Sequence, residues 1–138
     1  MGKTISWCLI GILWLVSPSL GADQKDIGKL IHQQLGIWPP AKVPVEQLPR
    51  IKGPGTRYGY SICQIVGGKF KPQIFMLKKS PHQQAVLTHE LTHISLLNEL
   101  TAHHVSWKNL PEWLNEGLAL YVSGEGPERV KLLHKQKG

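Results

Sequence analysis

The sequence predicts a small α+β domain. Three observations predict it: a long apolar-periodic helix beginning near Ser80, two extended segments joined at Gly67-Gly68, and a shorter helix framed by Pro111 and Gly124. The chain has 138 residues, enough for one hydrophobic core and little else. Its hydrophobic fraction of 41% is ordinary for a globular domain, and no internal repeat divides it.

The first segment, 1–21, stands apart. Lys3 precedes an apolar run from Ile5 to Val16, and Ser17-Pro18-Ser19-Leu20-Gly21 ends it with small and turn-forming residues. That is the layout of a secretory signal peptide, and the run is shorter than the ~20 residues a spanning helix needs. The expectation is an exported protein, periplasmic or extracellular, with residues 22–138 forming one domain and no stable membrane span after cleavage. Cys8 lacks the small-residue context of a lipoprotein signal. Removing 1–21 takes away Lys3 and no acid, so the formal charge of +7 falls by one. Cys63 then remains as the only cysteine, in the apolar stretch Ser61-Ile62-Cys63-Gln64-Ile65, and reads as a buried small hydrophobe. With no internal disulfide available, a bound metal is one alternative source of rigidity.

Asp23 to Leu35 reads as a helix, with Ile27, Leu30 and Ile31 on one face and Gly36 as its stop. Val43 and Val45 flank Pro44 in a short extended piece suited to a sheet edge. Arg57 to Val66 and Lys69 to Lys79 form the hairpin, with Tyr58, Tyr60, Ile62 and Gln64 on one face of its first strand. Pro72 puts the start of the second strand on an edge. Ser80-Pro81-His82-Gln83 has the form of a capping box, opening a helix to about Leu100 or Ala102. Thr101 to Leu110, whose His103 and His104 are weaker candidates to approach a metal, connects it to the helix that starts at Pro111. Gly126-Pro127 separates a short terminal helix in a basic tail of about 127–138. The lysines elsewhere are scattered, and no aromatics interleave the basic tail, so the tail reads as a solvated segment and no nucleic-acid partner is expected.

The chemistry lies in His89-Glu90-Leu91-Thr92-His93. Histidines four apart on a helix project from one face, one turn apart, and can occupy two corners of a tetrahedral zinc site. Glu90 is angled to reach a water on such a metal without binding the metal itself. A third ligand is available downstream, in Leu110-Pro111-Glu112-Trp113-Leu114-Asn115-Glu116-Gly117-Leu118-Ala119, as Glu112 or Glu116.

A His-Glu-x-x-His followed by Trp-Leu-Asn-Glu-Gly-x-Ala on a second helix resembles the gluzincin metallopeptidases, the clan that includes thermolysin and the M1 aminopeptidases. The resemblance covers about 75–124 and is closest to short proteins with an M1-like core. It implies a minimal zincin-like fold, with a small sheet and β-hairpin packed on the His-Glu-x-x-His helix and a glutamate helix beside it. It implies one Zn²⁺ held by His89, His93 and Glu116, with Glu90 as general base and a peptide or protein as substrate. The M1 spacing would instead select Glu112 as ligand, and Glu112 stays as the alternative. Tyr121, Tyr58 and Tyr60 are candidates to stabilise an oxyanion, Tyr121 foremost. The aspartate that thermolysin-like members carry four residues after the ligand glutamate, where it orients a histidine, is Leu120 here. The strand before the zinc helix, Lys71 to Leu77, is the expected edge for an extended substrate. Two rivals remain: a zinc-binding zincin-like domain without turnover, acting as a binding or regulatory module, and a basic surface-binding protein with incidental histidines.

Overall fold

The computed structural model describes residues 5–8, 17–52, 58–80 and 82–126, with side chains described from 23 onward. The Gly53-Pro54-Gly55 loop, Pro81 at the helix start, and the basic tail with its terminal helix lie outside the described residues. Strand β1 (Ile5–Cys8) is followed by helix α1 (Ser17–Leu35), strands β2 (Val45–Leu48), β3 (Gly59–Val66) and β4 (Lys69–Leu77), helix α2 (Gln83–Ala102), a 3₁₀ turn (Trp107–Asn109) and helix α3 (Glu112–Ser123). The α+β class holds. The strands form one mixed sheet in the order β1-β3-β4-β2.

The β3–β4 hairpin turns at Gly67 and Gly68, whose φ of 57° and 75° are the left-handed values a tight two-residue hairpin demands. β2 runs parallel to β4 and covers only Ile74 to Leu77. Pro72 therefore sits where β4 has a partner on one side alone, as its missing N–H requires. From Ile74 onward, however, β4 is interior, hydrogen-bonded to β3 on one side and β2 on the other. That removes Ile74–Leu77 as a docking edge for substrate, because its backbone groups are already paired. β2 is the outer strand on that side, two residues later than Val43 suggests. The Gln24 side chain ties its approach to α1, donating to Val43 O at 2.9 Å and accepting from Val43 N at 3.1 Å.

α2 lies between the sheet on one side and α1 and α3 on the other. Every residue from Val86 to Ser95 is buried. Leu87, Leu91, Ile94 and Leu97 meet Ile31, Ile74 and Met76 in the core. Each such side chain contributes about 1.5–3 kcal/mol on leaving water. A helix enclosed on all sides must also settle its polar groups. Thr88, Thr92 and Ser95 do so by donating to the carbonyls of Gln84, Thr88 and Leu91 one turn back.

The start of α2 departs from the capping box. His82 occupies the cap position without a side-chain bond, and the Gln83 amide donates instead to Lys78 O at 3.0 Å. Ser80 Oγ accepts from His82 N, closing a local turn one step before the helix. At the other end Trp107 is buried beneath the last turn, its Nε1–H shared between Leu97 O and Thr101 Oγ1. α3 runs from Pro111 in the cap position to Gly124, whose φ of 76° terminates it. No described helix is long and apolar enough to cross a membrane.

Candidate metal centre

The exposed face of one helix would not hold a metal ion for long; here the two histidines lie on the enclosed helix and meet a carboxylate from its neighbour. His89 Nε2 is 3.4 Å from Glu116 Oε2, and His93 Nε2 is 3.2 Å from Glu116 Oε1. Together the three residues offer ligand atoms within 4.8 Å of one another, close enough to hold a metal ion. Two atoms bonded tetrahedrally to one ion at 2.0–2.1 Å would lie about 3.3 Å apart, near the 3.4 and 3.2 Å from each histidine to its own Glu116 oxygen, while the three-residue set spans up to 4.8 Å and would draw in slightly around an ion. The donor set therefore fits.

Each ring also has a polar neighbour on its Nδ1 side. His93 Nδ1 lies 2.8 Å from Asn115 Oδ1, an acceptor for its N–H, an arrangement that would leave Nε2, which faces Glu116, free to bind a metal ion. His89 Nδ1 has the Glu125 carboxylate 3.2 Å away, within reach of its charge though without hydrogen-bond alignment. Asn115 stood in the quoted Asn-Glu-Gly triplet, where its place directly before the ligand was the available signal. Glu125 lies outside any motif, past the end of α3, and had no signal. Between them they supply the partners that Leu120 cannot.

Glu90 is the most enclosed carboxyl of the group, only 4% exposed. Ser61 Oγ on β3 donates to its Oε2 at 2.9 Å. β3 turns its smallest residues, Gly59, Ser61 and Cys63, toward α2, leaving Tyr60, Ile62 and Gln64 half-buried on the other face. A Cβ at Gly59 would collide with the Val86 side chain and crowd the Phe75 carbonyl oxygen at 3.3 Å. The glycine is thus what lets the helix come down onto the strand.

The electrostatics follow from this enclosure. Burial pushes the Glu90 carboxyl up to about 7, against the pull of His93, His89 and the Ser61 hydroxyl. Burial would lower His89, but the Glu116 and Glu125 carboxylates outweigh it and raise the imidazole to about 9. Burial would raise Glu116 too, yet hydrogen bonds from both histidines hold it well below the usual carboxylate range. Burial, with Glu90 nearby, lifts the Cys63 thiol to about 12, so it stays an inert hydrophobe.

The other candidates lie apart. Glu112 is exposed in the first turn of α3, one turn before Glu116, and is not among the clustered ligands. Tyr121 is 65% exposed, and five residues beyond Glu116 a helix has turned roughly 140° away from that side chain. Tyr60 stacks at a tilt on Phe75, and Tyr58 is exposed at the start of β3. His103 and His104 are at the solvent end of α2, His103 beside Glu99 at 3.0 Å. No protein-family model, curated protein or solved structure matches the chain.

Proposed function

We propose that the chain is a zinc-dependent metallopeptidase of the gluzincin type, with His89, His93 and Glu116 as ligands of one Zn²⁺. The observation that carries the reading is the convergence of two imidazole Nε2 atoms and one carboxylate beside an enclosed glutamate on the same helix. Three protein donors of this kind leave an open position, the arrangement of catalytic rather than structural zinc. When bound, zinc supplies Lewis acidity, polarising a carbonyl and making a water acidic near neutral pH.

The protein's own groups do the rest. Glu90 takes the proton from the attacking water as its oxygen bonds to the peptide carbonyl carbon. The same carboxyl then delivers that proton to the amine nitrogen as the C–N bond breaks. In the metal-free protein burial raises this carboxyl to about 7, and the enclosure that does so favours a group able both to take and to return a proton. The Ser61 hydroxyl holds one carboxyl oxygen, so the other is assigned to the proton. His93 is kept in its ligating tautomer by Asn115. The signal-like segment 1–21 supports export, and the substrate is accordingly a peptide or protein met outside the cytoplasm.

The test is Glu90→Gln beside wild type, read by zinc content and by cleavage of a mixed peptide library. The expected result is full zinc occupancy with cleavage lowered at least a hundredfold, the low end of a lost general base. Wild type that binds zinc stoichiometrically and cleaves nothing would instead favour a zinc-binding module. The exposed placement of Tyr121 is the observation on that side.

A further inference from the structure

We propose that Glu125 is a positioning residue for the metal ligand His89, acting from the loop beyond α3 rather than from the helix. This rests on the metal reading of the cluster. The ring of His89 has two nitrogens on diverging edges. Nε2 faces Glu116 at 3.4 Å, and Nδ1 faces Glu125 Oε2 at 3.2 Å. His93 divides its nitrogens in the same way, with Nε2 toward Glu116 and Nδ1 on Asn115. Glu125 therefore stands behind the ring, away from the ligand cluster, and is not itself a fourth ligand.

The fold explains how a residue so far along the chain arrives there. α3 stops at Gly124, whose left-handed φ of 76° turns the backbone out of the helix axis. The next residue is thereby returned toward α2, and its side chain is only partly exposed. Carboxylate and amide are different partners for a ligating imidazole. A carboxylate behind Nδ1 increases the electron density available at Nε2, whereas the neutral Asn115 amide chiefly fixes orientation. The two histidines are thus unequal donors, with His89 the stronger.

The experiment measures zinc affinity by competition with a chelating dye, and the visible spectrum of the cobalt(II) protein. It uses the full chain as wild type, Glu125→Gln, Glu125→Asp and Glu116→Ala. Glutamine keeps size and removes only charge, so packing is preserved. The expected result is zinc bound about ten- to a hundredfold more weakly by Glu125→Gln, with an altered cobalt spectrum and partial recovery in Glu125→Asp. Glu116→Ala should lose the metal. Affinity of Glu125→Gln within about twofold of wild type, or Glu125→Asp no better than Glu125→Gln, overturns the assignment of Glu125 alone. Failure of wild type to bind either metal overturns the metal reading and this assignment with it.

Discussion

Asn115 and Glu116 are neighbours in sequence, yet they hold opposite edges of one imidazole. Consecutive helical residues point about 100° apart, so one reaches His93 Nδ1 while the other places its carboxylate between the two Nε2 atoms. The His89–His93 pair was legible in the residues because its spacing is dictated by helix geometry, whereas Glu116, on another helix, was chosen over Glu112 only by the resemblance of its motif. The supports behind the triad were legible only where they sat inside the motif. The same local charges give the metal-free protein a defined pH response. Glu90 is raised from 4.5 to about 7 and His89 from 6.5 to about 9, so each favours folding in its protonated form. Those contributions are lost as pH rises through 4.5–7 and 6.5–9 respectively. Glu116, held low, contributes in full above 4.5 and loses its share only as pH falls. In the presence of a chelator, the urea midpoint should therefore be lower at pH 9 than at pH 5.5. A zinc ion bound there, as proposed, would take the place of the His89 proton, so its affinity should tighten across the same interval. Equal midpoints at the two pH values would contradict this picture of the charges.

At the scale of elements, the close approach of α2 to β3 decides which face of the strand is inward. Alternation alone allowed Tyr58, Tyr60, Ile62 and Gln64 to form one face, but period-two patterning does not say which side receives a helix. The helix takes the side of Gly59, Ser61 and Cys63, where small side chains let Glu90 reach the Ser61 hydroxyl. Gly59→Ala should lower stability by about 1–3 kcal/mol through overpacking. The cost should shrink in a Val86→Ala background, because Val86 is the group the new methyl meets. A urea-unfolding double-mutant cycle reads the coupling, and strictly additive effects would remove Val86 as the cause. Helix ends were more readable than strand roles or helix starts, since α1 begins at Ser17, six residues before Asp23. Gly36 and Gly124 mark their stops by positive φ, and Ala102 is where the long helix ends. The capping box failed because Gln83 found a nearer acceptor in Lys78 O. The edge role of β4 failed because β2, separated from it by the whole hairpin, returns to pair beside it. Such long-range pairing leaves no local trace in sequence.

Across the whole molecule, the class and its layers follow from a few periodic segments, while the order of strands does not. β1 pairs antiparallel with Tyr60–Cys63, covering the outer side of the strand that supports Glu90. A chain without residues 1–21 would present that side of β3 as an open row of backbone donors and acceptors. α3 has a different standing in the assembly. It buries fully only Asn115, Ala119 and Val122, whereas α2 buries eleven residues. Among the described residues no disulfide crosslinks the two, Cys63 being a free thiol. A metal shared by His89, His93 and Glu116 would therefore act as a rivet between a firmly held helix and a lightly held one. Its removal should let α3 open as a unit before the rest of the fold does. With chelator present, a protease should nick first within 111–126 and leave the sheet with α2 intact, and added zinc should suppress that cut. Cleavage spread evenly over the chain would show instead that the protein comes apart all at once. By this logic the site that is proposed to cut peptides also determines how easily the protein itself is cut.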